Sequence, residues 1–119
     1  MWEGLLPVGS IVILKGTEQK IMVAGVCQIV RETEEDVMYD YSGVLHPYGF
    51  VDSEQIYLFD RDDIATVVSI GYMDDEQFRT FGILEDLNRK VRDGKMTIDE
   101  ALQIEWPEPE VLPPEDEPV

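Results

Sequence analysis

Two hydrophobic periods divide the chain near residue 74. Ahead of that point the apolar residues come in short, β-branched runs, the pattern of strands buried on one or both faces. Ser10 to Lys15 is the first run, and Gly16-Thr17-Glu18-Gln19 after it is hairpin material. Lys20 to Val30 is the second strand, where Gly25 marks a bulge or a close backbone approach. A polar loop, Arg31 to Asp36, leads to a third strand, Val37 to Leu45, with Tyr39 and Tyr41 on one face and Asp40 on the other. His46-Pro47-Tyr48-Gly49 reads as a turn, Gln55 to Phe59 as a fourth strand, and Ile64 to Tyr72 as a fifth. Asp60-Arg61-Asp62-Asp63, between the last two, fits a single helical turn capped by Asp60.

After residue 74 the period changes. Phe78, Phe81, Leu84, Leu87 and Val91 recur every three or four positions and form one helical stripe. Asp74-Asp75-Glu76 is a helix start, Arg89, Lys90 and Arg92 suit the negative end of the helix dipole, and Asp93-Gly94 is a stop. Thr97 and Glu100 then make a capping box for a short second helix ending near Ile104. The predicted class is α+β: a small antiparallel sheet or partly open barrel of about five strands, then a C-terminal helical hairpin over roughly residues 74–104.

Composition narrows the function. A length of 119 residues suits one domain, expected over residues 1–104. Twenty-six acids against nine bases give a formal charge of −17, the wrong sign for neutralising phosphate, so nucleic acid is not an expected partner. No apolar run approaches the length that crosses a bilayer, so membrane insertion is not expected either. The first residues carry no basic region of the kind that opens a signal peptide. A single cysteine excludes an internal disulfide, and the expected compartment is a reducing one. From Glu105 onward there are six acids, no bases and five of the seven prolines. Residues 105–119 are therefore expected to be a disordered, solvating acidic tail; the alternative is a short linear motif with Trp106, Val111 and Leu112 as apolar anchors.

Candidate chemistry is sparse. A calcium loop starting at Asp60 would need Gly and Glu where Ala65 and Gly71 stand. One His (His46) and one Cys (Cys27) cannot make a zinc site, and no phosphate-cradling glycine motif occurs. No enzyme activity, cofactor or metal is expected. The densest feature is aromatic: Tyr39, Tyr41, Tyr48, Phe50, Tyr57 and Phe59. Two fates stand open for them, packing within and across strands, or an exposed tyrosine-rich surface of the kind that anchors protein interfaces. On the second reading the expected partner-binding residues are Tyr39, Tyr41, Tyr48 and Phe50, joined by Trp106.

The runs Leu6-Pro7-Val8-Gly9-Ser10-Ile11-Val12-Ile13-Leu14-Lys15-Gly16 and Tyr39-Asp40-Tyr41-Ser42-Gly43-Val44-Leu45-His46-Pro47-Tyr48-Gly49, with Tyr57 to Ile64 and Gly71-Tyr72, are similar to one family. The chain resembles the small acidic domain-of-unknown-function family encoded at type VII (ESX) secretion and LXG toxin loci of Gram-positive bacteria, over roughly residues 5–80. The resemblance implies a cytoplasmic accessory protein that binds a cognate LXG toxin or its small helical escort as an adaptor, chaperone or targeting factor. The neighbouring implication is an immunity protein that neutralises the toxin.

Overall fold

The computed structural model describes residues 4–31 and 36–103. The expected acidic tail, 105–119, and with it Trp106, lies outside the described residues. The five strands are β1 (Ile11–Leu14), β2 (Lys20–Val30), β3 (Val37–Leu45), β4 (Tyr57–Phe59) and β5 (Ile64–Ser69). They form one antiparallel sheet in the order β4-β3-β2-β1-β5. Two helices follow, α1 (Asp75–Arg92) and α2 (Ile98–Leu102). The class is α+β, as the change of period implies.

The order has a geometric consequence. β4 and β5 occupy opposite edges of the sheet, yet only Asp60 to Asp63 separates them in the chain. Crossing a flat five-stranded sheet takes about 19 Å at strand spacings of about 4.8 Å. This connector is mostly a 3-10 turn, Arg61–Asp63, and reaches no more than about 13 Å. The sheet must therefore curl, bringing its two edges within reach of one short turn. Bends in the strands allow it. The β2–β3 register shifts between Val23 and Gly25, where a side chain at Gly25 would come within 2.9 Å of Ser42 Oγ. That glycine serves a bulge and a close approach together. The β1–β5 pairing is broken twice more, between Ile11 and Val12 and between Ile13 and Leu14.

Inside the curl lie Leu5, Leu6, Val12, Ile21, Val23, Tyr41, Phe59 and Ile64, with Phe81 and Leu84 of α1 packed against them. The segment before β1 belongs to this core. Leu6 is 2 % exposed, and its burial is worth about 2 kcal/mol. A lead-in of Leu-Leu-Pro has no period of its own, so its burial is not legible from the pattern.

Local signals decide the element ends. Asp74 caps α1 by accepting the Gln77 N–H at 2.8 Å. The helix closes in a Schellman arrangement: Lys95 N–H donates to Lys90 O at 2.9 Å and Gly94 N–H to Val91 O at 3.2 Å, with Gly94 at φ +75°. Thr97 Oγ1 accepts the Glu100 N–H at 3.1 Å and caps α2. Two strand ends differ from expectation. β4 begins at Tyr57 rather than Gln55, because Asp52 Oδ1 accepts the Glu54 N–H and turns Ser53–Gln55 into a 3-10 turn. β5 ends at Ser69 rather than Tyr72, because Gly71 gives its N–H to the Ser10 hydroxyl at 2.9 Å. The α1 stripe also shifts: Phe81, Leu84, Leu87 and Val91 turn inward, while Phe78 is 60 % exposed.

Candidate partner interface

The connection from β3 to β4 exposes two aromatic rings close together in the chain, Tyr48 and Phe50. His46 leaves β3 with its N–H on Lys20 O, and a cis peptide bond precedes Pro47. Gly49, at φ +76°, bridges back to Leu45 through its N–H at 2.8 Å. This tight return pushes Tyr48 and Phe50 outward, to 74 % and 66 % exposure. Val51, Ile56, Tyr57 and Leu58 follow in the same stretch and are also exposed. Acids punctuate it: Asp52 and Glu54 are exposed, as are Asp62 and Asp63 just beyond β4. Residues 48–58 thus present apolar side chains among carboxylates.

Of the residues expected to meet a partner, Tyr48 and Phe50 stand on this surface. Tyr39, in β3 opposite Gln28, is half-buried. Tyr41 is a correction, because it has no exposed surface at all. Its ring stacks on Phe59 at 5.4 Å between centroids, and its hydroxyl accepts the Leu6 N–H at 2.9 Å. Its alternation with Asp40 does not separate a wet face from a dry one, because β3 is covered on both faces from Asp40 to Val44. Ile56 to Leu58 belong on the surface too. Their apolar run reads as a buried strand, and only the edge position of β4 exposes it.

A second feature is the cleft of about 290 Å³ lined by Gly4, Leu5, Asp40, Arg61, Glu85 and Asn88, with Arg89 at its rim. Its carboxylates are engaged. Glu85 accepts the Leu5 N–H. Asp40 Oδ1 accepts from Asn88 Nδ2 at 2.8 Å and Arg92 Nη2 at 2.9 Å, while Oδ2 accepts the Arg61 backbone N–H at 2.8 Å. Arg92 also reaches Asp60 Oδ1 at 2.8 Å, the atom that accepts the Asp40 N–H at 3.0 Å. Burial works against the Arg92 cation, but the bond to Asp60 and the two carboxylate charges outweigh it and raise its pKa. These contacts join α1, β3 and the β4–β5 turn. The cleft is a structural joint, and its acids are held in place by that work.

Cys27 sits at φ +52° with its thiol 3.7 Å from Leu84 O. Burial, followed by the Asp40 charge, pushes that thiol up to about 11, which keeps it protonated and weakly nucleophilic. Among the described residues, no group of three or more His, Cys, Asp or Glu is placed to hold a metal ion, and no helix is long and apolar enough to cross a membrane.

A family model described as a domain of unknown function, DUF4176, matches residues 5–80. The chain belongs to this family. The DUF4176 match takes in all five strands and stops inside α1, so Glu85, Asn88 and Arg92 lie beyond it. The DUF4176 region thus supplies the whole sheet and the Tyr48–Leu58 surface, while the helix side of the joint is added after it. No curated protein and no solved structure matches the chain.

Proposed function

We propose that this protein is a non-enzymatic binding protein of a type VII secretion system. It holds a cognate LXG toxin, or the toxin's small helical escort, as an adaptor, chaperone or targeting factor in the cytoplasm. The observation that carries the reading is the exposed stretch from Tyr48 to Leu58, set among carboxylates on a chain of net charge −17. Large aromatic side chains supply contact area at low entropic cost, and a ring of like charge steers a basic partner and repels an acidic one. Membership of DUF4176 supports the reading through the likeness of its strand motifs to proteins encoded at such loci.

The test is co-purification with each protein encoded beside this gene, using the native chain and a Tyr48→Ser, Phe50→Ser variant. One locus protein should be retained by the native chain and lost from the variant, and a strain lacking the gene should fail to export its toxin. Loss of resistance to the toxin with normal export would assign the immunity role instead. Failure to bind any locus protein, with export and resistance both intact, would overturn the proposal.

A further inference from the structure

β5 is a sheet edge with no described strand beyond it. Its chain from Ile64 to Tyr72 contains no charged residue, in a protein where 29 % of residues are charged. Ala65, Thr66, Val68, Ser69 and Ile70 are exposed, so most of the strand's side chains meet solvent. Sheet edges of this kind are templates for pairing, and proteins ordinarily blunt them with charge, proline or brevity. The six residues of β5 carry neither charge nor proline, and the strand's irregularity is confined to two bulges, at Ala65 and Val68, where its register with β1 shifts.

The charges stand at the ends instead. Asp60, Asp62 and Asp63 precede the strand, and Asp74, Asp75 and Glu76 follow it. Asp60 is tied to Arg92, but Asp62, Asp63, Asp75 and Glu76 are exposed. The nearby cations do not cancel this pattern along the open edge. Lys15 follows the β1 partner of Ile64, on the inner side of the strand, and Arg61 is half-buried beside the Asp40 cleft.

This arrangement selects the occupant. A second copy pairing antiparallel would set Asp62 and Asp63 of one chain against Asp74 and Asp75 of the other. A parallel copy would set each acidic end against its own duplicate. Like charges opposed across strands destabilise the pair, so both self-pairings are disfavoured. A strand that is uncharged in the middle and basic at both ends meets no such conflict in either direction. We infer that the outer edge of β5 is a docking site for an extended protein segment of that composition, which joins the sheet as a sixth strand. Main-chain hydrogen bonds hold the segment, and its terminal lysines or arginines face the two acidic clusters. The inference does not rest on what binds at Tyr48 and Phe50.

The test uses the full chain and a synthetic peptide of alternating threonine and valine with two lysines at each end. Binding is followed by fluorescence anisotropy and by amide hydrogen exchange. The peptide should bind, slow exchange at residues 65–70, and dissociate as salt rises. The same peptide with glutamates at both ends should not bind. Asp62→Lys with Glu76→Lys should weaken the lysine peptide about tenfold at low salt. These two positions are chosen because Asp63 and Asp74 accept backbone N–H bonds that hold their turns. Tyr48→Ser with Phe50→Ser should leave peptide binding unchanged, so failure at one surface is distinguishable from failure at the other. No binding up to millimolar peptide, protection away from β5, or equal binding of the glutamate peptide would overturn the inference. So would a dimer of the native chain in which residues 65–70 are protected.

Discussion

Arg92 Nη2 lies 2.9 Å from Asp40 Oδ1, joining the last turn of α1 to the middle of β3. Asp40 is nearly buried, whereas the Arg92 side chain is 41 % exposed, so the two ends of this pair differ in what their loss leaves behind. Asp40→Ala takes the acceptor from the Arg61 N–H and the Asn88 amide and one of two carboxylates from Arg92, and should cost about 3 kcal/mol. Arg92→Ala leaves its partners other donors and water, and should cost about 1 kcal/mol. Urea unfolding of both single variants and the double variant checks this, with the double less destabilised than the sum. Equal losses would show that the carboxylate is not the centre of the joint.

The Tyr41 hydroxyl should matter apart from its ring. Tyr41→Phe keeps the stack on Phe59 but leaves the Leu6 N–H without its acceptor, for a loss of about 1 kcal/mol. Amide exchange at Leu6 should accelerate more than exchange in β2. An unchanged Leu6 amide would place the segment's anchorage elsewhere.

Stability should fall on the alkaline side. The Cys27 thiol ionises near 9 when free and at about 11 in the folded protein. Below the lower value both states hold the proton and its contribution is whole. Between the two the unfolded chain gives up the proton first, so stability declines as pH rises and the contribution is gone above the upper value. Burial raises the Tyr41 hydroxyl as well, which adds to the same decline. Cys27→Ser should flatten part of the slope in chemical unfolding measured across this range. An unaltered slope would mean the thiol is not responsible.

At Gly25 the structure predicts a conditional cost. Gly25→Ala brings its new methyl within 2.9 Å of Ser42 Oγ and should destabilise by about 1 kcal/mol. Adding Ser42→Ala removes the atom that is struck and should recover part of that loss. Thermal unfolding of the single and double variants decides it.

Tyr48→Ser and Phe50→Ser remove exposed rings and should change stability by no more than about 0.5 kcal/mol. A larger loss in thermal unfolding would mean that these rings pack within the fold.

What was legible beforehand follows from range. The Asp74 and Thr97 caps, the Gly94 stop and the β-branched runs of β1 to β3 act over a few residues, and each left its mark in adjacent letters. The joint that Asp40, Glu85 and Arg92 make leaves no such mark, because it comes from partners dozens of residues away. Leu5 and Leu6 were opaque for the same reason. The aromatic cluster was visible as a group, but its division was not: Tyr41 and Phe59 went inside, Tyr48 and Phe50 outside. Alternation assigns faces only where one face is wet, and β3 has none from Asp40 to Val44. Phe78 fits the apolar stripe by spacing, yet it stands in the first turn of α1 and stays outside.

The pairing of β1 with β5 also sets a schedule for synthesis. β1 ends at Leu14, and the strand that flanks it opposite β2 starts at Ile64, so about 50 residues must be made between the two. At ribosomal speeds of about 5–20 residues per second, the hairpin of β1 and β2 waits several seconds with one side open. The residues that close the Asp40 joint arrive later still, with Arg92. A nascent chain halted before that residue would hold a sheet whose helix has not yet locked onto it.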